Sequence, residues 1–408
     1  MRGRAFSNSR SAVISLLLEQ GVLSHAAIAR QTGLSRAAIS LSVTELIDEG
    51  LVREIGTSDS TGGRKPVLIR LGGDAKLVVG VGYEGNACHF VLVNLDGEVI
   101  NRLVMPDSLP QNPRQIVAIV SHGVRTLLIG YPPKTLLGVG VALSGQFNAV
   151  TDMFASLIWK IEEYPLRGVL EETLDAPVIV LDNAHAAGLG ELWLMGRQNR
   201  EHLMYFYMGV GTGGAIITGR DLYEGRNHTA GEIDPTIIDP DGPDFGCHRG
   251  CLEGFLRYEN LRTVVDEHRD EYPGSILSRD LSDPVIIQHI AAAAAAEDQL
   301  ALLILRYAAK YVGIQTANML NLLNPDEIIL GGPFGLWRER FAEMVSAVAE
   351  TTALPVSFRS ASVLPGNPSS DSIPLGAAAK IIRRAPELLS PTDSELLLNS
   401  VPALRIAD

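Results

Sequence analysis

The residues whose types and spacing are best suited to recognition chemistry lie at the start of a predicted helix, RAAISLSVTELIDEG (36–50). Ser35, Arg36, Ala37 and Ser40 point away from the apolar stripe of this helix, so the core does not need them. An arginine can form two hydrogen bonds to the major-groove edge of guanine. Arg36 is therefore the best single candidate for contacting a base.

The elements around these residues predict a helix-turn-helix. Apolar spacing predicts a first helix over Ser11–Glu19 that Gly21 ends, and Ser24 can cap a second helix, HAAIARQ. Gly33 interrupts the pattern, and Ser35 can cap the third helix. A short helix, a tight turn and a second capped helix place the N-terminal residues of the last helix against base edges in the major groove.

A basic hairpin is predicted to follow. The segments LVREI (51–55) and VLIRL (67–71) are strand-like and flank GTSDSTGGRKP, which carries Arg64 and Lys65. Such a tip can touch phosphate or enter a minor groove, as a wing does. The alternative is a small helical domain that binds protein and has a solvated basic loop. The basic hairpin and the distribution of charge together favour DNA binding over this alternative.

The distribution of charge favours DNA. The net charge is −13, but residues 1–71 carry nine basic and six acidic residues, a net of +3, so the remainder carries −16. The 408 residues predict two or three domains. No apolar run is long enough for a membrane span, and the start does not resemble a signal peptide. With three cysteines, Cys88, Cys247 and Cys251, a cytoplasmic protein without disulfides is expected.

The remaining chain predicts an α/β fold with a mixed sheet, because strand patterns such as LLGVGVAL (136–143) alternate with helical ones. Two such halves would leave a cleft between them. A single long helix is predicted through the alanine run and on to residue 323, since alanine favours helix. The glycine-rich GVGTGGA (209–215) could present N–H groups to an anion. We favour a tight strand-to-strand turn there.

Several long motifs in order resemble the ROK family (repressors, open reading frames and kinases of sugars). They are SRAAIS, TGGRKP, GVGTGGAIITGRDLYEG (209–225), AGEIDPTIIDPDGP (230–243), GCLE (250–253) and NPDEIILGG (324–332). The resemblance covers about residues 8–380 and implies a two-lobed actin/hexokinase-like body, a duplicated ribonuclease H-like fold. The head indicates the repressor branch. We divide the chain into a winged helix-turn-helix (1–71), a first lobe (72–195), a second lobe with dimerisation helices (196–390) and a C-terminal tail (391–408).

The chain departs from the family where catalysis is concerned. Gly82 stands at the Asp of the family's phosphate loop, and Glu84 replaces a glycine and would repel phosphate. The family's Asn-Asp pair, whose Asp is the general base, is swapped here to Asp182 and Asn183. An amide cannot accept a proton near neutral pH. We therefore expect no catalytic residues, no cofactor and no enzyme activity.

The family's zinc site is also incomplete. Pro235 stands at its His position and Phe245 at its first Cys position, which leaves Cys247 and Cys251. Two thiolates fall short of the four ligands of a structural zinc site. We expect no metal, and free, buried thiols.

The resemblance assigns sugar contacts that this chain keeps in part. Carboxylates suit sugar hydroxyls because each accepts more than one donor, although surface charge or an internal salt bridge is the alternative. The positions that match the family's sugar contacts are Gly145, Gln146, Ser156, Asp182, Asn183, Glu232 and Glu253. Because Pro235 removes one contact and other positions have changed, the effector is expected to differ from the family's usual hexose or N-acetyl sugar.

These observations predict a sugar-responsive transcriptional regulator, most simply a repressor, that binds double-stranded operator DNA as a homodimer or tetramer and has an inactive kinase-like effector domain. Two alternatives stay open. One is an ATP-dependent sugar kinase with an attached DNA-binding head. The other is a regulator that senses no ligand and uses its body only to dimerise.

Overall fold

The computed structural model describes residues 8–57, 66–84, 86–106, 108, 110–194, 200–209, 211–244, 248–279, 286–332, 337–367 and 371–390. Across these ranges, no helix combines the length and the apolar character that crossing a membrane requires.

The head has three helices and a small sheet. Its helices are α1 (Ser9–Gln20), α2 (His25–Thr32) and α3 (Arg36–Asp48), and its strands are β1 (Leu23–Ser24), β2 (Val52–Thr57) and β3 (Val67–Leu71). The antiparallel sheet has the order β1-β3-β2. Local signals explain these boundaries, because the side chains of Asn8, Ser24 and Ser35 cap the three helices in turn. The helix-turn-helix and the β2–β3 hairpin predicted from the sequence are thus confirmed as structural elements.

The first lobe is built on a five-stranded mixed sheet. Its strands are β4 (Leu77–Glu84), β5 (Ala87–Asn94), β6 (Val99–Met105), β7 (Leu136–Leu143) and β11 (Val178–Asp182), in the order β11-β7-β4-β5-β6. Strands β5 and β6 are antiparallel to their neighbours, whereas β7 and β11 run parallel to β4. A second, three-stranded sheet, which the sequence did not predict, consists of β8 (Gln146–Asn148), β9 (Met153–Ser156) and β10 (Ile161–Tyr164).

The second lobe repeats the arrangement of the first. Its strands are β12 (His202–Met208), β13 (Thr212–Thr218), β14 (Asp221–Leu222), β15 (Glu327–Gly331) and β16 (Ser362–Pro365), in the order β14-β13-β12-β15-β16. Its central strand again has an antiparallel hairpin on one side and two parallel strands on the other. This repetition confirms the predicted α/β fold with a duplicated, two-lobed body behind a winged helix-turn-helix.

The remaining helices cover these sheets and link the lobes. They are α4 (Pro113–Leu127), α5 (Leu166–Leu174), α6 (Asn183–Leu194), α7 (Leu252–Leu256), α8 (Tyr258–His268), α9 (Ile286–Ala295), α10 (Gln299–Leu323), α11 (Arg338–Thr352), α12 (Pro355–Arg359), α13 (Ser372–Arg383) and α14 (Ala385–Leu388). The prediction of one uninterrupted helix through the alanine run is wrong. Glu297 adopts a positive φ of 62°, and the Asp298 side chain caps α10 by accepting from the Ala301 N–H at 3.0 Å. This local cap outweighs the helix propensity of the alanines.

Helix α13 packs on α6 and on the first-lobe sheet at backbone distance. A Cβ atom at Gly190 of α6 would overlap the Ser372 carbonyl, and one at Gly376 of α13 would overlap the Ala186 carbonyl. Gly80 and Gly140 of the sheet face α13 in the same way. Since larger residues would force these elements apart, the two helices and the sheet form one tightly packed unit.

The head shares a hydrophobic core with the body. One cluster of buried residues joins Leu17 and Val43 of the head to Ile381 of α13 and to Leu389. Arg10 of α1 strengthens this junction: its Nε donates to the Leu389 carbonyl at 2.7 Å, and its guanidinium pairs with Glu49. The C-terminal end of the described body therefore holds the first helix of the head.

We expect Ile381→Ala to lower the free energy of unfolding by about 2–5 kcal/mol, because Ile381 is fully buried in the core that the head and body share. Chemical unfolding followed by circular dichroism measures this. The matched control is Ile129→Ala, at a side chain that is 77% exposed, which should change stability by less than about 0.5 kcal/mol. Equal, small effects of the two substitutions would show that the shared core does not stabilise the protein.

Candidate functional site

Two local features set the start of α3. Gly33, with φ 73°, ends α2 and donates its N–H to the Ala29 carbonyl at 3.0 Å, which makes the tight turn. The Ser35 Oγ then accepts from the Ala38 N–H at 3.1 Å and starts α3. Helix α3 buries Ile39, Ser42, Val43 and Leu46 against the other head helices, which leaves its opposite face to solvent.

That exposed face contains the residues predicted to contact DNA. Ser35, Arg36, Ala37 and Ser40 are all exposed. The two wing residues, Arg64 and Lys65, lie outside the described residues. Two further exposed residues of the face, Leu41 and Thr44, were missed by the sequence prediction, which stopped after the first turns of the helix. Their spacing from Ala37, at four and seven residues, was the signal that could have found them.

The second group of candidate residues includes a pair at the end of a first-lobe strand. Asp182 ends β11, and its Oδ1 accepts from the Ala184 N–H at 2.7 Å at the start of α6. The next residue, Asn183, is buried and turns away: its Nδ2 donates to the Tyr83 carbonyl at 2.8 Å and to the Ser144 Oγ at 3.0 Å. Of this swapped pair, Asp182 lines the cleft.

Three candidate residues, Gly145, Gln146 and Ser156, lie in or next to one turn and have different roles. The Ser156 side chain is 2% exposed, and its Oγ donates to the Ser144 carbonyl at 2.6 Å, so this hydroxyl holds the turn together. A Cβ atom at Gly145 would come within 2.8 Å of the Phe154 ring, so close packing explains why a glycine stands there. Gln146 lines the cleft.

Two acidic side chains of the second lobe match the family's sugar contacts. Glu232 lines the cleft with Asp182, whereas Glu253, on α7, is not among the residues that line it. Burial raises the pKa of both, and the negative charge of Asp182 raises the pKa of Glu232 further. Asp234, which the sequence analysis missed, lies beside Glu232. Burial and the Glu232 charge raise the pKa of Asp234 to about 7. It stands at the second glycine of the family's Gly-Glu-x-Gly-His stretch, and that departure could have identified it.

A basic side chain of α13 pairs with an acidic residue of the cleft. The Lys380 Nζ lies 3.0 Å from the Glu224 Oε1, and the His228 Nδ1 lies 3.4 Å from the same oxygen. Glu224 and His228 both line the cleft, together with His185, whose Nε2 lies 2.7 Å from the Ala230 carbonyl oxygen. Burial lowers the pKa of His185, which favours a neutral ring that donates from Nε2. Sequence analysis did not assign these four residues to the cleft, because His185, Lys380 and the segment that carries Glu224 and His228 are brought together only by the fold.

The glycine-rich segment is explained by packing. A Cβ atom at Gly214 would come within 2.7 Å of the Gly231 carbonyl oxygen, and one at Gly213 would lie 3.0 Å from the Ala184 Cβ. These glycines let β13 pass close to α6 and to the loop that carries Glu232.

The cleft is narrow in this conformation. Its cavity volume is about 10 Å³, which is room for roughly one water molecule. A larger groove, of about 700 Å³, lies between the head and the body and is lined by residues such as Ile47, Arg53 and Asp74. It is wide open and does not contain the clustered carboxylates. We therefore take the cleft as the candidate ligand site and note that a sugar would have to widen it.

The burial of Asp182 in the cleft predicts how the stability of the protein depends on pH. Burial raises the pKa of Asp182 from its ordinary 3.8 to about 6, although backbone N–H groups of α6 oppose the shift. The folded protein therefore keeps a proton that the unfolded chain releases, and stability falls as pH rises from about 4 to about 6 and stays low above that. Asp182→Asn keeps a capping side chain without the charge. It should stabilise the protein at pH 8 by on the order of 2 kcal/mol, and by less at pH 5.5.

Urea unfolding at the two pH values measures this gain. The control is Asp270→Asn, at an exposed carboxylate, which should leave the difference in stability between the two pH values as it is in the unmodified protein. A gain for Asp182→Asn that is the same at pH 5.5 and pH 8 would contradict the assignment of a raised pKa.

Comparisons with known proteins agree with this architecture. Residues 78–383 match the model of the ROK family, and residues 7–53 match that of a winged helix-turn-helix DNA-binding domain. A xylose repressor of Caldicellulosiruptor bescii is 26% identical over 377 residues, which cover 91% of this chain and 94% of that protein. A glucokinase of Halalkalibacterium halodurans is 27% identical over 286 residues, which cover 68% of this chain and 86% of the kinase.

A solved structure shows the same fold. A ROK family transcriptional regulator, described as a homologue of the Escherichia coli MLC protein, superposes with a TM-score of 0.80 at 21% identity, over 93% of this chain and 96% of that one. Since the ROK model alone spans three quarters of the sequence, the assignment does not depend on any single relative. The chain belongs to the ROK family and carries a winged helix-turn-helix DNA-binding domain ahead of its ROK domain.

Proposed function

We propose that this protein is a transcriptional repressor that binds operator DNA through its head and changes its operator affinity when a sugar binds in the cleft. The observation that carries the proposal is the shared core between a DNA-binding head and a kinase-like body. A relative of nearly equal length is named a xylose repressor, which supports it. We further propose a cytoplasmic homodimer or tetramer with the domain division given above, so that paired heads contact two half-sites.

We propose that the body has no kinase activity. The position of the family's general base is Asn183, a buried amide whose Nδ2 is engaged by Tyr83 and Ser144. Gly82, where the family has the Asp of its phosphate loop, supplies no carboxylate for a metal ion. The alternative is an ATP-dependent sugar kinase, because one relative is named a glucokinase. ADP release that depends on a sugar and is catalysed by the purified protein would contradict this part of the proposal.

The ligand that suits the cleft is a polyhydroxy compound. Asp182 and Glu232 present acceptor oxygens, and Gln146 can both donate and accept. Because the cavity holds only about one water molecule, the sugar must favour an arrangement in which the lobes or loops stand further apart. A ligand shifts such an equilibrium only by its differential affinity for the two arrangements. This requirement links binding to a change in shape.

The route from the cleft to the head runs through α13. Lys380 connects this helix to Glu224 in the cleft, and glycine contacts fix α13 to α6, which starts beside Asp182. Helix α14 follows α13 directly, and α14 packs on α1 of the head. A change at the cleft that displaces α13 therefore acts on the helix that supports the DNA-binding motif.

The narrow cavity also favours a second candidate, a regulator that senses no ligand and uses its body only for assembly. A panel of sugars, amino sugars, sugar acids and polyols separates the two in a thermal-shift assay, because a ligand at a hundred times its Kd adds about 2.7 kcal/mol to stability. Stabilisation by one compound supports the sensor. Silence across the panel supports the regulator that senses no ligand.

Arg36→Ala should weaken binding of the full-length protein to its operator by about 1–3 kcal/mol, because it removes a pair of hydrogen bonds to a guanine edge. Fluorescence anisotropy with a labelled operator duplex at fixed salt measures this loss. The matched control is Arg359→Ala, an exposed arginine of α12 outside the head. An Arg36→Ala variant that binds the operator as tightly as the control would contradict our assignment of the recognition helix.

Lys380→Met should separate binding from response. The variant keeps most of the side-chain volume but loses the ion pair with Glu224. We expect operator affinity without sugar to change little, while the effect of sugar on operator affinity, about 5–150-fold for a typical coupling, falls toward none. Anisotropy titrations with and without the effector measure it.

The control for Lys380→Met is Arg383→Met, on the same helix. Arg383 pairs with Asp221 at 3.2 Å, and Asp221, unlike Glu224, does not line the cleft. The Arg383→Met variant should keep the effect of sugar on operator affinity. If both variants respond as the unmodified protein does, the Lys380–Glu224 pair does not transmit the signal.

A further inference from the structure

The exposed face of α3 carries a large apolar side chain that the core does not use. Leu41 is 64% exposed and lies opposite the buried face formed by Ile39, Val43 and Leu46. Burying a leucine side chain is favourable, and most of that contribution is absent while Leu41 faces water. A surface leucine by itself is ordinary. Its neighbours on the same face make this one informative.

Small and methyl-bearing side chains surround Leu41 along the helix. Ala37 lies one turn before it and Thr44 one turn after it, and both are exposed. The Thr44 Oγ1 donates to the Ser40 carbonyl at 2.9 Å, so its hydroxyl is engaged within the helix. The centre of this face therefore presents apolar groups, while Arg36 and Ser40 lie to one side of it.

We propose that Leu41 determines sequence specificity by packing on the C5 methyl group of a thymine in each operator half-site. This inference rests on the proposed function, because it requires α3 to enter the major groove. Thymine is the base that presents a methyl group there, and apolar side chains recognise it by contact. Leu41 lies about 7.5 Å further along the helix axis than Arg36 and about 140° away from it around the helix, so the two side chains contact different bases.

The experiment uses the full-length protein and a binding site selected from a random duplex library by successive rounds of capture. Each thymine of the half-site is then replaced, one at a time, by deoxyuridine, which removes the methyl group and keeps the hydrogen-bonding edge. At one thymine per half-site the unmodified protein should bind about four-fold more weakly for each methyl group removed. Leu41→Ala should bind the thymine and deoxyuridine duplexes equally.

Two further variants sharpen the result. Leu41→Met keeps a side chain of similar size and should keep the dependence on the methyl group. Ile129→Ala, at an exposed residue outside the head, should behave as the unmodified protein does. The proposal is overturned if no thymine methyl group affects binding, or if Leu41→Ala keeps the same dependence. A library that yields no preferred sequence would instead refute DNA recognition by the head, and this inference with it.

Discussion

The close contact of α13 with α6 and the first-lobe sheet is the constraint on which the rest of the structure depends. Glycines on both sides of the helix pair, Gly190 and Gly376, allow main chain to touch main chain. Contacts of this kind leave no side chain that could adjust if one helix moved alone. The helix that begins at the cleft and the helix that ends beneath the head therefore move together or not at all.

The chemistry of the cleft follows from the residues that this chain has at the positions matched to the family's catalytic groups. A buried amide, Asn183, takes the position of the base and helps to hold two loops together. The carboxylates that remain are crowded: burial and the charge of Asp182 raise the pKa of Glu232, and burial and the charge of Glu232 raise the pKa of Asp234. Hydroxyl donors of a ligand would stabilise these groups. The same scaffold occurs in a relative named a glucokinase and in one named a xylose repressor, as function depends on the site and not on the fold.

Sequence analysis succeeded where the signals are local. The three head helices begin after capping residues such as Ser24 and Ser35, and the strand predicted over residues 67–71 is β3. It failed where local signals compete or are too short: the Asp298 cap divides the alanine-rich helix, and the strands of the small sheet have only three or four residues. It could not find the Lys380–Glu224 pair, because these residues lie far apart in the sequence and only the packing of α13 brings them together.

The most direct test of the account is operator affinity measured as a function of sugar. Full-length protein is titrated against a labelled operator duplex, with and without each compound that stabilises it, and the same titrations are repeated with Glu232→Gln, which removes a cleft carboxylate and keeps the side-chain shape. The account predicts that one polyhydroxy compound weakens operator binding by about 5–150-fold and that Glu232→Gln loses this response. A stabilising compound that leaves operator affinity unchanged, or a response that survives in Glu232→Gln, would contradict it.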